Sequence, residues 1–235
     1  MAPFSSKNKL ERFVCEEISD EDIQEIQNRF IIEREQKIIK EIGPNDVVGL
    51  ERYLKKSAYK ENKEHLTKIY LIKDKKTKLI AGYFGLKAGV VSENDNFTDI
   101  KRKNKTIKNR KNTELQGYVP LKNAIPGIEL SHFAINDLFR KKLEEKTRNE
   151  IHGLGKLFFP IFIYPIIINV YKQIGVKIFY LYAADNSRNG KLVNYYREVM
   201  GLEAFENSEV SKSDVKPVRS DYDNNCIFMY RAIND

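Results

Sequence analysis

Gly127-Ile-Glu-Leu-Ser-His-Phe-Ala-Ile135, followed after a charged stretch by Gly153-Leu-Gly155 and a long apolar run to about Ile174, decides the fold of this chain. The first segment alternates and is rich in apolar residues, which predicts a central strand. The second places two glycines where a helix begins. Glycines there let a ligand approach the backbone closely. The unpaired amides and the dipole of a helix start favour an anion such as a pyrophosphate. Gly175 ends the helix, and Val176-Lys-Ile-Phe-Tyr-Leu-Tyr-Ala-Ala184 predicts another strand. Asp185-Asn186-Ser187 leads into a helix through Leu192, Val193, Tyr195, Tyr196 and Val199, closed by Gly201.

Upstream, Phe13 to Ile18 reads as a first strand, and Ser19 with Asp22 resembles a capping box that opens a helix with an apolar stripe at Ile23, Ile26 and Phe30. Gly43-Pro44 stops it, and a second helix runs from Asp46 through Leu50, Tyr53, Leu54 and Ala58. Ile69–Lys73 and Leu79–Leu86, joined by Asp74-Lys-Lys-Thr-Lys78, predict a hairpin. Residues 92–116 are polar, basic and poor in core residues, so they predict a long loop insertion. Asp137 to Glu150 reads as partly helical, and Cys226-Ile-Phe-Met-Tyr230 as a last strand. The order β-α-α-β-β-β-α-β-α-β predicts one α/β domain over residues 1–235 with a mixed, mostly antiparallel central sheet flanked by helices. Its N-terminal strand and helices occupy about 10–66.

With 235 residues the chain can bury a sizeable core, and 41% hydrophobic with 31% charged residues reads as a soluble protein. The N-terminus is polar and Lys-rich, without the apolar segment of a secretory signal. The apolar run Leu157–Val170 is short for a bilayer and is interrupted by Pro160 and Pro165, so a buried helix is expected and no membrane. Two cysteines, Cys15 and Cys226, read as free thiols in a reducing cytoplasm. His65, His132 and His152 show no metal-ligand spacing, and no metal is expected. Much of the +8 net charge sits in Lys101-Arg-Lys-Asn-Lys-Thr-Ile-Lys-Asn-Arg-Lys111. That run reads first as a solvated loop and second as an RNA contact; it has no interleaved aromatics for base stacking.

In order and spacing, Leu79-Ile-Ala-Gly82-Tyr-Phe-Gly-Leu86, the strand 127–135, Gly153-Leu-Gly155, the strand 176–184 and the helix ending Tyr195-Tyr196…Gly201 resemble the GNAT superfamily of N-acetyltransferases. The resemblance covers about 46–90 and 127–205, the latter being the family's acetyl-CoA-binding half. It implies that acetyl-CoA is co-substrate and that a primary amine attacks it directly. Backbone groups of Phe133, Ala134 and Ile135 would pair with the pantetheine arm like an added strand, and one of their N–H groups would polarise the thioester carbonyl. Amides around Gly153, Leu154, Gly155 and Lys156 would hold the pyrophosphate, with Asn186 a further cofactor contact. Glu129 would be the general base, and Tyr196 or Tyr195 would protonate the departing thiolate.

Several features depart from the family pattern. Glu150 stands where Arg or Gln is usual, with Arg148 and Lys156 available to compensate. Tyr196 is five residues before Gly201 rather than four, Leu202 replaces a Phe, and Pro160 and Pro165 should distort the long helix. His132 adjoins the acetyl site, but alternation directs it away from Glu129, and it reads as structural. Three readings stay open: an acetyltransferase that modifies a primary amine on a small molecule, peptide or protein, a toxin-like member acting on the aminoacyl group of charged tRNA, and a degenerate domain that binds CoA or a partner without catalysis. A homodimer is compatible with each.

Overall fold

The computed structural model describes residues 11–42, 49–93, 124–143, 153–185, 189–205, 215–217 and 226–234. Most of the basic insertion, including 101–111, lies outside the described residues, as do Arg148, Glu150 and Asn186. The described residues form two compact units. One takes those up to Ala88 and from Glu129 to Val170; the other takes those from Gly89 to Ile128 and from Tyr171 onward.

In the first unit the strand order is β1 (Phe13–Glu17), β2 (Lys68–Asp74), β3 (Ile80–Glu93, as far as Ala88) and β4 (Ala124–Ile135, from Glu129). β1 pairs with β2, and β2 with β3, both antiparallel. The β2–β3 turn is held by Asp74, fully buried, whose carboxylate accepts the Lys76 amide at 2.7 Å and the Arg12 guanidinium. Among the described residues, the α-helices between β1 and β2 are α1 (Ile23–Arg29), α2 (Glu33–Ile42), α3 (Leu50–Lys56) and α4 (Ala58–Lys63). Ile18, Ile26, Phe30, Leu54, Ala58, Ile69, Leu71, Ile80, Tyr83 and Ala134 form one core cluster.

The sequence predicts a single helix up to Gly43, but the chain breaks at Phe30. Three consecutive amides there turn to side chains instead of to the preceding helix. Ile31 donates to Asn136 Oδ1 (3.2 Å), Ile32 to Glu51 (2.7 Å) and Glu33 to Asp137 (3.0 Å). Asn136 is buried and uses its whole amide. Its Nδ2 donates to the carbonyls of Arg29 (2.9 Å) and Ile80 (2.8 Å), and its Oδ1 also accepts Leu138 N–H (3.0 Å), capping α5 (Asp137–Lys142).

A continuous 21-residue helix, Leu154–Ile174, follows. It comprises α6 (Leu154–Phe158), a π-helical turn at Phe159–Ile163 and α7 (Tyr164–Ile174). The π turn sits at Pro160, where the missing amide removes an i→i−4 bond, as the sequence predicts. By length and composition this helix is long and apolar enough to cross a membrane, whereas the run Leu157–Val170 reads as too short. Its buried positions Leu154, Phe158, Phe159, Ile163 and Ile167 form an inward stripe, and Phe158 meets Phe13 edge-on at 5.1 Å.

In the second unit β5 (Ile178–Ala184) pairs antiparallel with β8 (Cys226–Ala232), which in turn pairs with β6 (Glu203–Ala204). The start of β4 joins β5 through the Lys177 amide, which donates to the Pro126 carbonyl at 2.9 Å. β7 (Val215–Pro217) pairs with the end of β3. The two short strands, β6 and β7, have no clear signature in the sequence. Val91, Ile178, Tyr180, Val215, Phe228 and Tyr230 pack together, and α8 (Lys191–Met200) ends at left-handed Gly201.

Candidate active site

Gly82 lets β3 and β4 approach where the thioester is expected. A Cβ there would lie 2.8 Å from the Ala134 carbonyl oxygen, a backbone atom that cannot give way. Ala134 is buried; Phe133 and Ile135 are partly exposed. Gly153 opens α6 with φ +82, which favours glycine, while a Cβ would meet nothing closer than the Lys156 side chain at 3.5 Å. Conformation rather than space therefore calls for glycine here. The first intrahelical bond is Leu157 N–H to Gly153 C=O (3.2 Å), so the amides of Leu154, Gly155 and Lys156 precede it at the helix start. Leu154 is buried and Lys156 exposed, an arrangement that offers amides and one cation to an anion.

Glu129 is buried and ion-paired with Lys87 Nζ at 3.0 Å. Three residues along β4, His132 stacks face to face on Tyr53 of α3, with centroids 3.5 Å apart and planes within 6°. Tyr53 is itself fixed, its hydroxyl donating to Glu61 (2.7 Å), which also accepts the Thr67 hydroxyl (2.9 Å). Burial lowers the His132 imidazole from its usual value to about 4; Glu61 opposes this shift and Lys87 adds to it. The sequence assigns His132 no role, because the Tyr53 ring that orients it comes from a distant helix.

This shift has a stability consequence. An unfolded histidine binds a proton below about pH 6.5, the folded one only near 4, so between those values the unfolded state holds more protons. Stability should therefore fall as pH drops from 6.5 toward 4. Melting curves across that window should show a smaller fall for His132→Phe, which keeps the ring but cannot titrate. Identical pH dependence of the two proteins would refute the shift.

In the second unit Tyr195 and Tyr196 lie side by side on α8, with ring centroids 5.3 Å apart. The Tyr195 hydroxyl is buried without a hydrogen-bond partner among the described residues, and burial raises its pKa. Burial first, and the Asp185 carboxylate second, raise Tyr196 to about 12. Both phenols therefore keep their protons at neutral pH. Asp185 supplies a contact that sequence patterning does not assign: its carboxylate accepts the amides of Leu192 (2.8 Å) and Val193 (3.0 Å) at the start of α8. Among the described residues no group of three or more His, Cys, Asp or Glu is placed to hold a metal ion.

No protein-family model matches the chain, and no curated protein matches it. The α/β fold, however, is shared with solved structures. A Tyr-to-Phe variant of KacT superposes with a TM-score of 0.50 at 12% identity, covering 94% of this chain and 95% of that one. AtaT complexed with acetyl-methionyl-tRNAfMet superposes with a TM-score of 0.50 at 12% identity, covering 92% of this chain and 93% of that one.

Proposed function

We propose that this chain is an acetyl-CoA-dependent N-acetyltransferase whose acceptor is the amine of an aminoacyl-tRNA. The observation that carries the use of acetyl-CoA is left-handed Gly153 opening a 21-residue helix that follows β4 in the chain. The choice of acceptor is supported by the +8 charge with its basic run, and by the fold shared with AtaT, which is seen with acetyl-methionyl-tRNAfMet. A cytoplasmic protein without a resident metal goes with this reading. In the reaction the amine nitrogen bonds to the thioester carbon and the carbon–sulfur bond breaks with its electron pair on sulfur. The nitrogen loses a proton and the sulfur gains one. One of the amides of Phe133, Ala134 and Ile135 carries the developing oxyanion. Those of Leu154, Gly155 and Lys156 hold the pyrophosphate, with Asn186 as a further contact, and Tyr195 or Tyr196 protonates the thiolate.

A second reading, a domain that binds CoA without transfer, is favoured by one contact. Glu129, the carboxylate expected as the base, is held in an ion pair by Lys87. Two measurements separate the readings. Acetyl-CoA at about 100 times its dissociation constant should stabilise the protein by about 2.7 kcal/mol, and Gly153→Val should abolish the shift. Labelled acetyl groups should then appear on aminoacyl-tRNA charged from total tRNA. Absence of a thermal shift at millimolar acetyl-CoA sinks both readings; a shift without transfer to charged tRNA or to an amine panel leaves the second.

A further inference from the structure

The Ser131 hydroxyl has one proton, and Oγ is placed to donate it to the Gly85 carbonyl at 3.2 Å. Yet the same Oγ lies 2.9 Å from His132 Nδ1. A Ser131 proton directed at Gly85 leaves Oγ to accept from Nδ1, which corresponds to the tautomer with the hydrogen on Nδ1. A neutral imidazole protonated at Nδ1 has its lone pair on Nε2. Nε2 makes no hydrogen bond among the described residues. The ring cannot easily turn to hide it, because it lies flat on Tyr53, and Tyr53 is anchored through Glu61 to Thr67. Ser131 Oγ and the anchored Tyr53 ring thus orient one basic nitrogen, one residue along β4 from Phe133.

We propose that His132 Nε2 is the hydrogen-bond acceptor that positions the attacking amine and takes the proton it sheds. The inference rests on the acetyl-transfer reading above and names the group at that site that meets the acceptor. Glu129, the carboxylate expected in this role, is engaged with Lys87 at 3.0 Å. As the nitrogen–carbon bond forms, the nitrogen proton passes to Nε2 and then to water, while the sulfur leaves with its electron pair and is protonated by the tyrosine. A weak base suffices, because an ammonium nitrogen becomes strongly acidic once bonded to the reacting carbonyl carbon. The imidazole is lowered by burial and by Lys87, opposed by Glu61. It therefore stays neutral, with its lone pair available, across the physiological range.

Two substitutions separate this role from a structural one. His132→Phe keeps a flat ring for Tyr53 but has no lone pair; His132→Gln offers an amide oxygen near the place of Nε2. With aminoacyl-tRNA charged from total tRNA as acceptor, His132→Phe should lower kcat/KM by about 100-fold. It should also raise the KM for acceptor while leaving the acetyl-CoA thermal shift intact. His132→Gln should recover at least about tenfold of that loss. Nitrogen-15 spectra of the wild-type imidazole should show Nδ1 protonated and Nε2 bare at neutral pH. His132→Phe with wild-type kcat/KM, or an Nε2–H tautomer in the spectra, overturns the proposal alone. A wild type that acetylates neither charged tRNA nor any amine overturns the acetyl-transfer reading and takes this proposal with it. Loss of the acetyl-CoA shift in His132→Phe also counts against the proposal, since it marks a structural role.

Discussion

Asn136→Ala is expected to destabilise the first unit by about 3 kcal/mol or more, by the usual cost of leaving buried amides and carbonyls unpaired. The side chain is buried and makes four hydrogen bonds, two as donor and two as acceptor. Removing it strands the Ile31 amide at the end of α1, the Leu138 amide at the start of α5, and the carbonyls of Arg29 and Ile80. Asn136→Asp is expected to fare no better, because two of its partners are carbonyl oxygens that would face a carboxylate. Denaturant unfolding reads the effect directly. A loss below about 1 kcal/mol for the alanine variant would mean that water replaces these bonds at little cost. Acetyl-CoA binding should weaken as well, since Asn136 closes the strand that carries Phe133, Ala134 and Ile135.

Tyr195→Phe is expected to slow acetyl transfer by about 100-fold or more, the usual contribution of a positioned acid. The same variant should be at least as stable as the wild type. The hydroxyl it removes is buried and has no partner among the described residues, so the fold loses no bond with it. Slower turnover with unchanged or higher melting temperature is the combination that identifies a chemical role. Tyr196→Phe is the control on the neighbouring phenol, held near 12 by burial and Asp185. If Tyr196→Phe alone is slow, the acid is Tyr196 and the spacing to Gly201 decides between the two. If neither variant is slow, the thiolate takes its proton from solvent.

The elements written in local pattern are legible in the sequence. Strand 127–135, the Gly153 turn, strand 176–184 and the helix closed by Gly201 each depend on neighbours within a few residues, and each is found within a few residues of its expected place. The hairpin around Asp74 is legible for the same reason. The corner at Phe30 is not. Its amides are satisfied by Asn136 and Asp137, 105 and 104 positions away, and by Glu51, 19 away. Nothing in Phe30-Ile31-Ile32 announces a break, and helix propensity alone carries straight through it. The site divides along the same line. Glycines and strand backbone are readable because their role is conformational. His132 is not, because its orientation comes from Tyr53 and from a Ser131–Gly85 bond spanning 46 positions. Glu129 is readable as a carboxylate at the start of a strand, but its pairing with Lys87 requires the β3–β4 register.

The chain passes between its two compact units three times: at 88/89, 128/129 and 170/171. Each passage falls inside a regular element, namely β3, β4 and α7. Proteases cut readily where a chain can be drawn out as an extended strip, and inter-domain linkers usually supply that strip. Here the crossings themselves supply none. Limited digestion would have to open a strand or unwind a helix before it could separate the two units, and trimming the chain to either unit would cut through the elements that carry the candidate site.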